Sequence, residues 1–254
     1  MKMQAPAVAV RARALGLPLA QPAKIRTPEF LEAIAAIAPE AGIVVAYGKI
    51  LPAALLEIPK RGFLNVHGSI LPKYRGAAPI QRAIENGETT TGVTIMCVDE
   101  QLDHGAILAI AKTEIGADER TPALASRLSI IGAEALSEVL KKWPAGTPQN
   151  DADATHAPKI EKSEGAILWT DTTASIYNRF RAFDPWPGVF AGELKLLDLA
   201  PADGQGTPGT ILASGPDGVI VATGDGALRL ITVQRPGKSR VAASELLRGQ
   251  TTLA

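Results

Sequence analysis

The stretch PAGTPQNDADATHAPKIEKSEG, residues 144–165, divides this chain into two parts built on different patterns. It is rich in Pro, Gly, Asp and Thr, shows no hydrophobic period and reads as a linker. Before it, strand-like and helix-like patterns alternate. After it come one helix and several short strand-like runs closed by glycine. Two domains are therefore expected, 1–143 and 166–254. With 254 residues, 46% hydrophobic and 20% charged, the chain can build a core for both, which excludes a disordered or fibrous class. Only 4% of residues are aromatic, so Ala, Val, Ile and Leu must fill that core.

In the first part, PEFLEAIAAIA (28–38) sets Phe30, Leu31, Ile34 and Ile37 at helical spacing, with Thr27 as N-cap and Pro28 in the first turn. AGIVVAYG (41–48) is a continuous apolar run ended by Gly, the pattern of a parallel-sheet strand buried on both faces. A short helix (50–59), a strand (62–69), a helix (76–87) and two strands (91–100 and 106–115) follow, then a long amphipathic helix over 120–143. This alternation predicts an open α/β sheet. The second part offers a helix over 172–184 and β-like runs at 189–200, 209–215, 218–224 and 227–237. Short strands with Gly-rich turns predict a small β-barrel of the OB type.

Several function classes drop out early. Cys97 is the sole cysteine, so neither an intramolecular disulfide nor a cysteine-based zinc site can form. No apolar run approaches the roughly 18 residues of a membrane helix. Arg and Pro break up the N-terminal segment, which is not a signal peptide. A cytoplasmic monomer without membrane contact is expected. The charges balance overall but not locally. Residues 1–82 carry 11 basic and 4 acidic residues, and residues 83–254 carry 15 and 22. A positive field in the first third could steer a phosphate-bearing ligand, or it could be an ordinary solvated surface.

The stretch 65–108 is the richest in chemistry. Asn65 and His67 lie two apart on a strand and so share a face. They fall near the carboxyl end of an expected parallel strand, where open α/β sheets place ligands. Asp103 follows another strand. An amide, an imidazole and a carboxylate together suit acyl transfer to an amine. The amide and imidazole can meet a developing oxyanion, and the carboxylate can orient the imidazole and take a proton. The attacking amine makes a Ser or Cys nucleophile unnecessary, and His67 with Asp103 alone makes a poor metal site. Taken singly, each residue has an ordinary structural use: a strand histidine, a turn aspartate, a turn-capping asparagine. Cys97 alternates within a strand and reads as core, His156 reads as solvated linker, and Trp186 as packing.

The motifs NVHGSILPKYRGAAPIQRAI and TGVTIMCVDEQLDHGAIL, with VVAYGKILP upstream and RAFDPWPG (181–188) and VATGDGALRLITVQRPGK (221–238) downstream, resemble the methionyl-tRNA formyltransferase family. The resemblance runs from near residue 10 to near residue 250. It implies a Rossmann-like formyltransferase domain followed by an OB-like domain that contacts tRNA. It also implies formyl transfer from 10-formyltetrahydrofolate to the α-amine of methionyl initiator tRNA, without a metal. It carries the catalytic roles onto Asn65, His67 and Asp103. The folate-contacting loop maps onto Ser69, Ile70, Leu71 and Pro72, with Tyr47 and Gly48 on a neighbouring segment. For tRNA, Lys159 and Lys162 match a basic patch of the linker, and Arg75 flanks the site, placed for a phosphate. His104 falls where the family varies. Against the family pattern, the opening strand, an F-x-G-T-P-like loop, a helix and a second strand are absent, and the chain is expected to begin in the tail of a basic loop. Formylation of a small-molecule amine, or tRNA binding by a noncatalytic remnant, are the alternatives.

Overall fold

The computed structural model describes residues 5–253. The chain divides into two compact units. One is the chain up to Gly42 with Lys49–Phe63, and the other is Ile43–Gly48 with Leu64 onward.

The first unit holds three helices, α1 (Ala7–Ala14), α2 (Pro28–Ile37) and α3 (Ala53–Leu56). Helix α1 lies where a loop tail was expected; its AVAVRARA sequence consists of Ala and Arg, strong helix formers, with two Val. Helix α2 starts as its sequence predicts: the Thr27 hydroxyl accepts from the Phe30 N–H at 3.3 Å, and Pro28 occupies the first turn. None of its residues is buried, however, and Ile37 is 69% exposed. Among the described residues, the buried apolar residues of this unit are few: Ala9, Ile25, Leu55 and Pro59.

The strands, in chain order, are β1 (Gly42–Val44), β2 (Phe63–His67), β3 (Arg75–Gly76), β4 (Thr90–Cys97), β5 (Ile107–Glu114), β6 (His156–Ala157), β7 (Val189–Ala191), β8 (Leu194–Ala202), β9 (Ile211–Gly215), β10 (Gly218–Ala222), β11 (Ala227–Gln234) and β12 (Val241–Ala242). The helices of the second unit are α4 (Pro79–Glu85), α5 (Thr121–Lys142), α6 (Thr173–Ala182) and α7 (Ala243–Leu246).

The first sheet runs in the order β1-β2-β4-β5. Its β2–β4 and β4–β5 pairs are antiparallel, so β2, expected to be a parallel strand, runs against β4. Only a short connection separates β4 from β5, and a parallel return would need a crossover of a dozen residues or more. Strand β4 is central and buried from Thr91 through Met96. Strand β1 lies at the end of the order, so the run expected to be buried on both faces leaves Ile43 40% and Val45 60% exposed. Helix α5 covers the sheet through Leu124, Leu128 and Val139. At Gly132 the backbone comes so close that a Cβ would meet Val66 at 2.9 Å.

The second sheet runs β7-β8-β11-β10-β9, with β12 added to β11. It is open rather than a closed barrel, because β7 and β9 do not pair. Each outer strand instead meets a non-sheet segment: Ala166 bridges to Phe190 on β7, and Thr251–Leu253 bond to Gly209–Ile211 at the start of β9. Phe183, Leu196, Leu228, Leu230 and Val189 fill the core beneath it. The two expected domains share this compact unit: the Thr121 hydroxyl at the head of α5 donates to the Ala182 carbonyl of α6 at 2.6 Å. No helix among the described residues is long and apolar enough to cross a membrane.

Candidate active site

Strand β2 presents Asn65 and His67 on one face, as period two dictates. Asp103 comes from the β4–β5 connection, in the left-handed backbone region at φ 49°, which Asp tolerates better than most residues. The three converge on the Asp103 carboxylate. Its Oδ1 accepts from Asn65 Nδ2 at 3.2 Å, and its Oδ2 accepts from the Gly76 N–H at 2.9 Å. His67 Nδ1 lies 3.5 Å from the same Oδ2. Both His67 and Asp103 are well covered, at 5% and 12% exposure.

His67 Nε2 lies 2.9 Å from the Tyr74 carbonyl. A carbonyl only accepts, so Nε2 carries the hydrogen and Nδ1 faces Asp103. Both ring nitrogens therefore point at protein groups, the Nε2 hydrogen at Tyr74 and the Nδ1 lone pair at Asp103. Among the described residues, the second Asn65 N–H has no partner, which makes it the donor available to a substrate oxygen.

Two contacts come from backbone that gave no sequence signal. Gly76 has φ 126°, and a Cβ there would press on the Ala157 carbonyl at 2.6 Å, so glycine is required for its N–H to reach Asp103. Tyr74, also in the left-handed region at φ 63°, supplies the carbonyl that fixes His67. Between them and β2, Ser69 and Leu71 are buried. The Ser69 hydroxyl donates to Lys73 O at 2.7 Å. Thr94 of β4 ties the loop down, donating to Ser69 O at 2.7 Å and accepting from Leu71 N at 3.1 Å. Ile70 and Pro72 are half-buried, and Tyr47 is 43% exposed next to Gly48.

The expected linker is stitched into this site. Gln149 Nε2 donates to the carbonyls of Asp103 at 2.9 Å and Gly105 at 2.8 Å, while its Oε1 accepts from Arg75 Nε and Nη2. Thr155 accepts the Tyr74 N–H at its hydroxyl and the Arg75 N–H at its carbonyl. Strands β3 and β6 pair in parallel at Arg75 and His156.

Arg75 was expected to face RNA. Its side chain is 12% exposed and is used by Gln149 and by Asp151 at 2.9 Å. Arg82 is similarly spent on Glu85 and Glu164, each at 2.7 Å. Lys159 and Lys162, by contrast, stand in solvent with no ion pair among the described residues. At the rim, His104 donates to Asp99 at 2.9 Å, which holds its pKa above the usual imidazole range. Arg75 holds the Asp151 carboxyl below its ordinary value. Burial raises the Cys97 thiol. Trp186, expected to pack, is 55% exposed.

A pair of strand residues gathered with a backbone N–H around one covered loop carboxylate suits a group transferase. The chain belongs to the formyl transferase family: residues 2–140 match the formyl transferase model and 159–251 match the formyl transferase C-terminal domain. Within the family it is similar to methionyl-tRNA formyltransferases. It is 45% identical over 247 residues to that of Thermus thermophilus, covering 95% of this chain and 81% of the relative. It is 45% identical over 253 residues to that of Myxococcus xanthus, covering 96% and 81%. The fold matches HypX from Aquifex aeolicus in complex with tetrahydrofolic acid at TM-score 0.66 and 22% identity, over 87% of this chain and 41% of that one. The chain is thus a formyl-transferring enzyme.

Proposed function

We propose that this chain transfers a formyl group from 10-formyltetrahydrofolate to the α-amine of methionyl initiator tRNA. The convergence of Asn65, His67 and the Gly76 N–H on one covered carboxylate carries the reading. The 45% identity to methionyl-tRNA formyltransferases supports the choice of acceptor.

The folate donor supplies an activated formyl carbon on a leaving nitrogen. The methionyl amine attacks that carbon and a new N–C bond forms. Charge gathers on the formyl oxygen, where the unpartnered Asn65 N–H meets it. Asp103 takes the proton that the amine sheds and can return it to the departing nitrogen as the old C–N bond breaks. His67 Nδ1 has no hydrogen in this tautomer, so it accepts from Asp103 once that carboxylate has taken the proton. This division differs from the expected one, in which His67 itself meets the oxyanion, because both ring nitrogens are engaged. Ile70, Pro72 and Tyr47 offer partly exposed apolar surface on which a planar ring system could lie. Buried Ser69 and Leu71 shape the loop, and Gly48 completes the neighbouring segment. Lys159 and Lys162 are the tRNA phosphate contacts. Arg75 enters that role only if it leaves Gln149 and Asp151.

The test is transfer of labelled formyl from 10-formyltetrahydrofolate to methionyl-tRNA. Asp103→Asn and Asn65→Ala should each lower turnover by roughly 10²–10⁴-fold, with the fold retained by circular dichroism. Formylation of an amino-sugar nucleotide in place of methionyl-tRNA would overturn the reading.

A further inference from the structure

Asp103 sits on a loop with an unusual backbone angle, yet no strand or helix hydrogen bond fixes its carbonyl. Gln149 does. The Gln149 amide has two N–H hydrogens and two lone pairs, and all four are used. The hydrogens go to the Asp103 and Gly105 carbonyls at 2.9 and 2.8 Å, and the lone pairs to Arg75 Nε and Nη2 at 3.0 and 2.8 Å. The environment also fixes which way the amide points. Turned over, its oxygen would face two carbonyl oxygens and its NH₂ a guanidinium. Gly105 leaves the loop no slack on the other side, because a Cβ there would run into the Cys97 carbonyl.

Thr155, six residues on, does the same for the other half of the site. It binds the N–H of Tyr74, whose carbonyl holds His67. Both residues so anchored, Asp103 and Tyr74, have left-handed φ angles, which are tolerable for Asp and costly for a bulky Tyr unless its surroundings enforce them.

We propose that Gln149 is a positioning residue for the proton-accepting Asp103, and that the segment 149–155 sets the active-site geometry while joining the two halves of the chain. The proposal rests on Asp103 having the role given above. Gln149 touches no reacting atom. It acts by holding the Asp103 backbone so that the carboxylate receives Asn65 and the Gly76 N–H together.

Two substitutions separate its two sides. Gln149→Glu keeps the shape and the Arg75 contact but sets a carboxylate oxygen against the loop carbonyls. Gln149→Met keeps the volume and loses both sets of bonds. Asn150→Ala is the control: it loosens the same segment at its bonds to Asp153 and Ala152 without touching the loop carbonyls.

The first readout needs no turnover. Amide hydrogen exchange at Gly76, whose N–H is donated to Asp103, should quicken at least tenfold in both Gln149 variants and stay within twofold of the parent in Asn150→Ala. The second is formyl transfer to methionyl-tRNA. There kcat should fall at least tenfold with KM for the tRNA within twofold, and the pH–rate profile should shift along its acidic limb. Unchanged Gly76 exchange in Gln149→Glu would overturn the proposal, since pairing with Arg75 would then be the residue's whole function. If the parent chain shows no formyl transfer while Gly76 exchange responds as expected, the functional reading fails and the positioning role stands. Should both Gln149 variants fail to fold, Gln149→Asn, one methylene shorter, draws the amide back from the loop carbonyls. It must then raise Gly76 exchange at least threefold for the proposal to survive.

Discussion

The two compact units draw on similar residues and use them differently. In the unit around α1–α3, a well-capped amphipathic helix, α2, buries none of its apolar side chains. In the larger unit, β4 is buried from Thr91 through Met96, and Ile95, Leu228 and Leu230 are fully enclosed. Local signals therefore formed helix α2 as well as any other, but capping and period do not supply a partner surface. Most helical stability in proteins comes from packing of the apolar face, and the units differ in that packing, not in propensity.

That contrast can be broken or sharpened by substitution. The largest effect should come from Ile95→Ala, which empties a fully buried central-strand site and should cost about 2–5 kcal/mol in a denaturant titration. An equally large loss from Ile37→Ala would break the contrast.

Next comes Arg82→Ala. It removes a largely covered guanidinium from Glu85 and Glu164 and should cost roughly 1–3 kcal/mol by thermal unfolding. The same pair gives a pH test. The hydrogen bond from Arg82 holds the Glu164 carboxyl below its ordinary value of 4.5. A carboxylate with a depressed folded pKa contributes its full stabilisation above the unfolded value and loses it as pH falls through the folded one. Stability measured from pH 6 down to pH 3 should therefore fall less steeply in Arg82→Ala than in the parent. Identical acid limbs would show the pair to be idle.

Smaller still is the effect of Lys159→Ala or Lys162→Ala. Each should weaken methionyl-tRNA binding only severalfold and reduce the salt slope of binding by about one, with no change in unfolding. Finally, Ile37→Ala should change stability by about 0.5 kcal/mol or less, as suits an apolar side chain already facing water.

Much of the site was legible because side chains on a strand obey period two. Asn65 and His67 had to share a face, and Asp103 followed a strand end in a motif that resembled a family's. What escaped was carried by backbone or by sequence that imitates solvent-exposed linker. The Gly76 N–H and the Tyr74 carbonyl have no side-chain signature. Gln149 and Thr155 sit among Pro, Asp and Asn residues whose composition signals a loop whether or not that loop is tied down. Strand direction escaped for a related reason: alternation shows which face is buried and not which way the neighbour runs, so β2 was expected to be parallel although its partner β4 runs against it. Closure of the second sheet depended on whether its first and last strands meet, which no local pattern encodes. Arg75 was read from its place beside the site, and position does not reveal that a carboxylate and an amide already hold it.

The capping of that second sheet bears on how the protein behaves in a crowded solution. An open sheet normally ends in rows of unpaired N–H and C=O groups that invite another chain to add a strand. Here Ala166 takes up one side, and Thr251–Leu253 lie along the start of the other. Those three residues act as a stopper. Exchanging them for prolines would remove the Leu253 N–H bond to the Gly209 carbonyl and should make copies of the chain adhere to one another, with the catalytic groups left untouched.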